Sequence, residues 1–277
     1  MFVYHVNPMF VVFLHLNQQR NKKTIRFLKF DLSVITYNKN KMCYHISNTK
    51  PSRKLEDFFD VKFKDDIVYE PNYHLNGFDN RFVYIIPQKD DHAIEAAKWG
   101  LLPENLENPD SFKKRFNTLN AKSETLFTSA LWKEPIVNRR CLILADGFFE
   151  SKHVGKNKYP HYIRLKDQQP FAFAGIYNQH HKGVFSCSII TKKANLFMAE
   201  IHNSKKRMPL ILDKSLEKEW LNPFFSKSSI NEIVNTGFTT KELEAYTVSK
   251  NVTNNRIGSN TRDMLKPYYY PELNMLF

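Results

Sequence analysis

Met42-Cys43 carries the most chemistry in the sequence, because a cysteine side chain is small enough for an initiator methionine in front of it to be trimmed. A chain that begins with cysteine holds a free α-amine two carbons from a thiol. The amine condenses with an aldehyde to an imine, and the thiol then closes a five-membered thiazolidine ring. With an α-amine pKa of about 7.7–8.0 and a thiol pKa of about 8.5, a useful fraction of each nucleophile is available at neutral pH. An internal cysteine has an amide nitrogen and cannot do this.

Three further segments offer reactive side chains. Asn120 sits in Leu119-Asn120-Ala121-Lys122-Ser123-Glu124-Thr125, and between Ser111 and Arg140 there are seven basic residues and two acids. Glu150 ends Ala145-Asp146-Gly147-Phe148-Phe149-Glu150, where a strand running into a glycine turn holds a carboxylate partly buried and raises its pKa for acid/base work. His202 closes an expected helix in Glu200-Ile201-His202, with a cationic turn, Lys205-Lys206-Arg207, behind it. Each has a bland alternative: a turn Asn, a solvated Glu, a structural His. Cys141 and Cys187 lie in apolar runs and read as buried small hydrophobes. Without a C-x-x-C pair, neither a zinc site nor a thioredoxin-type site is expected, and no metal or cofactor is called for.

The elements that must position these groups are short. Runs at Arg81–Pro87, Cys141–Ala145, Tyr159–Leu165, Phe171–Tyr177, Val184–Ile190, Arg207–Leu212 and Leu243–Ser249 are rich in β-branched and aromatic residues and read as strands. Helices are expected at Ser123–Lys133, Lys192–Ile201 after a Thr191 cap, Lys214–Leu221 and Ser229–Thr236. Strands that follow one another without long intervening helices imply an α+β fold with a mainly antiparallel, partly closed sheet and small peripheral helices.

Charge divides the chain unevenly. The 277 residues carry a formal +13, and residues 1–42 hold seven basic residues against one acid. The apolar run Met9–Leu14 is too short to span a bilayer, and its charges follow it, unlike those of a secretory signal. Residues 1–42 are expected to be a disordered basic arm, a removed leader or a mis-assigned start before Met42, with one domain over 43–277. The remaining excess of basic groups points to an anionic partner, nucleic acid ahead of a membrane surface.

Taken together, Met-Cys, N-A-[RK]-x-E-T, R-R-C-L-x-x-A-D-G-F-[FY]-E and I-H-x-x-x-R-M-P, in this order, resemble the SOS response-associated peptidase (SRAP) family. Trp99-Gly100-Leu101-Leu102-Pro103, the Phe171–Tyr177 strand and Val248-Ser249 followed by Asn255 agree with it, so the resemblance runs from Cys43 to about Lys266. It implies a protein that senses abasic sites in single-stranded DNA and cross-links to them through the N-terminal cysteine, with an associated peptidase activity and lyase-type chemistry. Carried onto this chain, Cys43 is the nucleophile, Asn120 orients its amine and the sugar, Glu150 shuttles protons and His202 helps open the sugar to its aldehyde. Lys122 and Arg207 occupy phosphate-binding positions, and Trp99 offers a face to a base. Arg139 and Arg140, in the basic stretch, join them as DNA-contact candidates. So does His45, which stands where the family commonly has arginine. The expected partner is single-stranded DNA with abasic sites, not a membrane, for a monomer in the cytoplasm that meets the nucleoid at damage. Two other readings remain: a cysteine-dependent peptidase acting on proteins, and a non-covalent single-stranded DNA-binding module.

Overall fold

The computed structural model describes residues 44–79, 81–180, 183–253 and 260–276. Cys43, residues 1–42 and Asn255 lie outside them. In chain order the strands are β1 (His45–Asn48), β2 (Lys62–Phe63), β3 (Asn72–Asn76), β4 (Phe82–Pro87), β5 (Ala93–Trp99), β6 (Asn120–Lys122), β7 (Arg140–Ala145), β8 (Gly147–Val154), β9 (Asn157–Leu165), β10 (Phe171–Gln179), β11 (Phe185–Lys193), β12 (Arg207–Pro209) and β13 (Leu243–Thr247). The α-helices are α1 (Ser52–Phe59), α2 (Pro109–Arg115), α3 (Pro135–Asn138), α4 (Leu196–Ile201), α5 (Glu217–Leu221) and α6 (Lys227–Thr236).

The α+β reading holds, and sheet closure goes further than expected. One antiparallel sheet has the order β13-β9-β8-β1-β3. In the other, β4, β5, β11, β10 and β7 form a closed ring: four neighbouring pairs are antiparallel, and the parallel pair β5–β11 seals it through Cys187 opposite Trp99. The inner face of the open sheet, Ile46, Leu75, Phe148 and Ile163, packs into one core with ring residues such as Ile85, Ile143 and Phe173. Each such side chain, fully buried, contributes about 1.5–3 kcal/mol. The ring's other face is covered by Leu55 of α1, Trp220 of α5 and Ile230 of α6. Among the described residues no helix is long and apolar enough to cross a membrane.

Two helix expectations change. Ser123–Lys133 is no continuous helix: Ser123–Thr125 is a single 3-10 turn, followed by separate turns that bury Leu126 and Trp132. Thr125, Thr128 and Ser129 are weak helix formers, so tertiary anchoring decides the path. The expected Lys192–Ile201 helix starts at Leu196, because Lys192 and Lys193 continue β11 opposite Met208 and Arg207, and Asn195 caps the helix through Met198 N.

Gly147 explains the sharpness of the β7–β8 junction. A Cβ there would lie 2.2 Å from the Tyr162 hydroxyl. Glycine lets Tyr162 cross β8 and meet Ser47 Oγ at 2.9 Å, while Ser47 also donates to Asp146 Oδ1 at 2.7 Å. Thr49 N adds a bond to Asp146 Oδ2 at 3.0 Å, so Asp146 fixes β1 against β8.

Candidate functional site

Glu150 is not at the end of a turn; it is the fourth residue of β8 and lies inside the strand. Alternation puts its side chain on the face of Phe148, at the rim of the core, directly across from His161 of β9. Only 9 % of Glu150 is exposed, and Oε1 is buried without a hydrogen-bond partner among the described residues. Burial pushes this carboxyl up to about 8, so at neutral pH it holds its proton.

His202 reaches Glu150 because the residue after it is a clamp. Asn203 accepts from His153 N at 2.9 Å and donates to His153 O at 2.8 Å, pinning the end of α4 onto β8 three residues past Glu150. His202 Nδ1 lies 3.8 Å from Glu150 Oε1 and 2.9 Å from the main-chain oxygen of Arg207. A carbonyl can only accept, so Nδ1 carries the ring proton and Nε2 is left as the basic nitrogen. Burial holds this imidazole below its ordinary range, despite the opposing bond to Arg207 O. His161 is arranged alike, with Nδ1 on Tyr159 O at 2.8 Å.

Asn120 comes from the other side of β11. β6 runs parallel to β11 with Asn120 opposite Ile189 and Lys122 opposite Thr191, while β12 places Pro209 opposite the same Thr191. Arg207 then joins the two motifs: Nη1 donates to Glu124, and Nη2 donates to Thr191 O at 2.7 Å. Glu150, His202, Arg207 and Glu124 thus form a continuous run of contacts that ends beside the strand of Asn120 and Lys122. Lys122 is half-buried and makes no ion pair among the described residues.

The sequence profile of the family described as SOS response associated peptidase (SRAP) matches residues 42–255. The chain belongs to the SRAP family. It is 34% identical over 209 residues to the abasic site processing protein YoaM of Bacillus subtilis (strain 168), covering 73% of this chain and 89% of that one. To the abasic site processing protein YedK of Escherichia coli (strain K12) it is 28% identical over 195 residues, covering 67% and 83%. A crystal structure of a Bacteroides thetaiotaomicron protein superposes with a TM-score of 0.73 at 30% identity, over 82% of this chain and all of that one.

Within this SRAP fold, two expected DNA contacts turn out to be structural. Trp99 is buried in the core, and its Nε1–H donates to Leu119 O at 2.8 Å, so it braces the residue before Asn120 and has no face for a base. Arg140 is fully buried: its guanidinium donates to the main-chain oxygens of Trp220 at 2.7 Å, Ile136 at 3.0 Å, Val137 at 2.6 Å and Asn222 at 2.5 Å. It ties α3 and α5 to β7 and cannot reach a phosphate. Arg139 is half-buried and pairs with Glu104 at 3.2 Å and with Glu134, so its charge is already balanced. His45 lies in β1 opposite Phe149, with Nδ1 2.9 Å from His74 Nε2.

Sequence reasoning missed Glu124, Asn203, His74 and His161. Glu124 was in view inside the quoted motif, and only its partner was unknown. Asn203 falls in the stretch by which this chain lengthens the I-H to R-M-P spacing, and nothing in the sequence distinguishes it from its exposed neighbours.

Proposed function

We propose that this protein processes abasic sites in single-stranded DNA by forming a covalent thiazolidine with the lesion through Cys43, in the cytoplasm and as a monomer. Its SRAP membership and its relatives' names support the abasic-site reading. The observation that carries the mechanism is Glu150: a buried carboxyl, protonated at neutral pH, 3.8 Å from an imidazole whose proton position is fixed.

An abasic deoxyribose is mostly a closed hemiacetal. His202 assists opening to the aldehyde through its free Nε2, accepting or relaying the hydroxyl proton. The Cys43 amine attacks the aldehyde carbon, and Glu150 donates the proton that lets the oxygen leave as water, giving an imine. The thiol then adds to the imine carbon, and its proton passes to the nitrogen as the five-membered ring closes. Asn120 orients the amine and the sugar. Lys122 and Arg207 hold flanking phosphates, and His45 donates where the family commonly has arginine. The chemistry needs a free α-amine on Cys43, so residues 1–42 must be absent from the active form.

The test is capture of an abasic single-stranded oligonucleotide by protein beginning at Cys43, read as a heat-stable shifted band on a denaturing gel. The reading expects a band from the parent and none from Cys43→Ser. Equal bands from both proteins would sink it. Binding that disappears in denaturant would favour the non-covalent module, and cleavage of a protein substrate without any adduct would favour the peptidase.

A further inference from the structure

His74 and His45 form a hydrogen-bonded pair that the mechanism above does not use, at the start of the strand that follows Cys43. His74 is 1 % exposed, its ring packs edge-on against Phe149, and the two imidazoles are stacked at 4.9 Å between centroids with an 11° tilt. Their single bond joins His45 Nδ1 to His74 Nε2 at 2.9 Å.

His74 Nδ1 decides how the protons are arranged. It is buried and has no partner among the described residues. A proton there would be an orphaned buried N–H, which proteins avoid more strictly than an unused acceptor. The proton therefore sits on Nε2 and is donated to His45, whose Nδ1 must accept and whose own proton must be on Nε2. If His45 took up a second proton, two N–H groups would face each other across 2.9 Å unless His74 moved its proton to the orphan position. Burial also holds the His74 ring near 3, so that ring does not become the charged partner.

The groups that face the pair do not replace this control. From β3 and the turn after it, Arg81 donates to His74 O and to Asp79 at 3.1 Å. From the C-terminal segment, Arg262 donates to Tyr73 Oη at 3.0 Å, and Asn260 accepts from Tyr73 N at 2.8 Å. β8 contributes Phe149, with Glu150 on its opposite face, and Tyr44 adjoins on the same strand as His45. Both arginines are cations, and they disfavour a further positive charge on the pair.

We propose that His74 is a positioning residue that fixes His45 in its Nε2–H tautomer and keeps it uncharged, so that the strand behind Cys43 meets DNA with a neutral hydrogen-bond donor. This deepens the reading of the same site, and rests on it for the role of DNA. Where the family commonly carries a permanent cation, this chain then has a donor whose charge does not change with pH.

The first experiment is NMR of the isotope-labelled full chain between pH 5 and 8. His45 is expected to show a protonated Nε2 and a bare Nδ1, with ring signals that do not titrate in that range. An Nδ1–H tautomer, or an ordinary imidazole titration, overturns the proposal. This readout needs neither DNA nor catalysis, so it separates from failure of the capture assay. The second is binding of an intact single-stranded oligonucleotide at fixed ionic strength. The parent and His45→Gln should have parallel pH profiles, while His74→Phe should tighten by about threefold or more from pH 8 to 5 as its freed His45 protonates. Parallel profiles for a folded His74→Phe, or a pH dependence of the parent that His45→Gln removes, contradict it. If His74→Phe does not fold, the NMR of the parent decides.

Discussion

His202 Nδ1 sits between two oxygens and is committed to one of them, the Arg207 carbonyl at 2.9 Å, leaving Glu150 Oε1 at 3.8 Å without a hydrogen bond. An ion pair would have lowered the carboxyl. Burial instead raises it to about 8. The arrangement keeps an acid loaded with its proton beside a neutral base, which suits a sequence of steps that each move one proton.

The raised carboxyl has a signed consequence for stability. Between the ordinary carboxylate range and about 8, the folded protein binds a proton at Glu150 that the unfolded chain has released. Stability from this group is therefore complete at low pH and is lost as pH rises through that window. Glu150→Gln should match the parent near pH 4 and exceed it by on the order of a few kcal/mol at pH 8, with capture of abasic DNA abolished. Urea unfolding at both pH values checks this, and a variant less stable than the parent at pH 8 would refute it.

Asn203 tests whether the clamp positions His202. Asn203→Ala removes two hydrogen bonds to β8, at a cost of about 1–2 kcal/mol. The adduct-forming rate should fall at least tenfold under conditions where the variant remains folded by circular dichroism. A rate equal to the parent's would show that α4 is held elsewhere.

Glu124 competes with DNA for Arg207. The pair is half in solvent, with Glu124 55 % exposed, so Glu124→Gln should change stability by less than about 1 kcal/mol. Affinity for single-stranded DNA should rise, and the slope of log K against log salt should steepen by up to about 0.7, the share of one additional phosphate contact. Weaker binding would mean that Glu124 orients Arg207 for DNA.

Arg140 separates scaffold from contact. Arg140→Met strands four buried carbonyls and should cost about 3–5 kcal/mol, seen in urea unfolding. The salt slope of DNA binding by the folded fraction should not change.

The reactive residue types and their order were legible in the sequence, as were the strands with dense β-branched and aromatic runs, such as Phe171–Gln179. His202 at a helix end was legible from the break in apolar spacing. Orientation was not. Trp99 and Arg140 look like DNA ligands in one dimension because aromatic and basic side chains serve cores and surfaces alike, and only the ring closure at β5–β11 and the docking of α5 bury them. β1, β3 and β8 escaped notice because polar residues interrupt them: His45 and Asn48, Asn72 and His74, Glu150 and Lys152. Those interruptions belong to the candidate site and its supports, where hydrophobic patterning gives way to chemistry.

The intact mass of the adduct tests the central claim most directly. Protein incubated with an abasic oligonucleotide should give one species equal to the chain starting at Cys43 plus the DNA less one water, unchanged by borohydride, because a thiazolidine has no C=N bond to reduce. An adduct that gains two hydrogens with borohydride, an adduct that retains residues 1–42, or no added mass would contradict it.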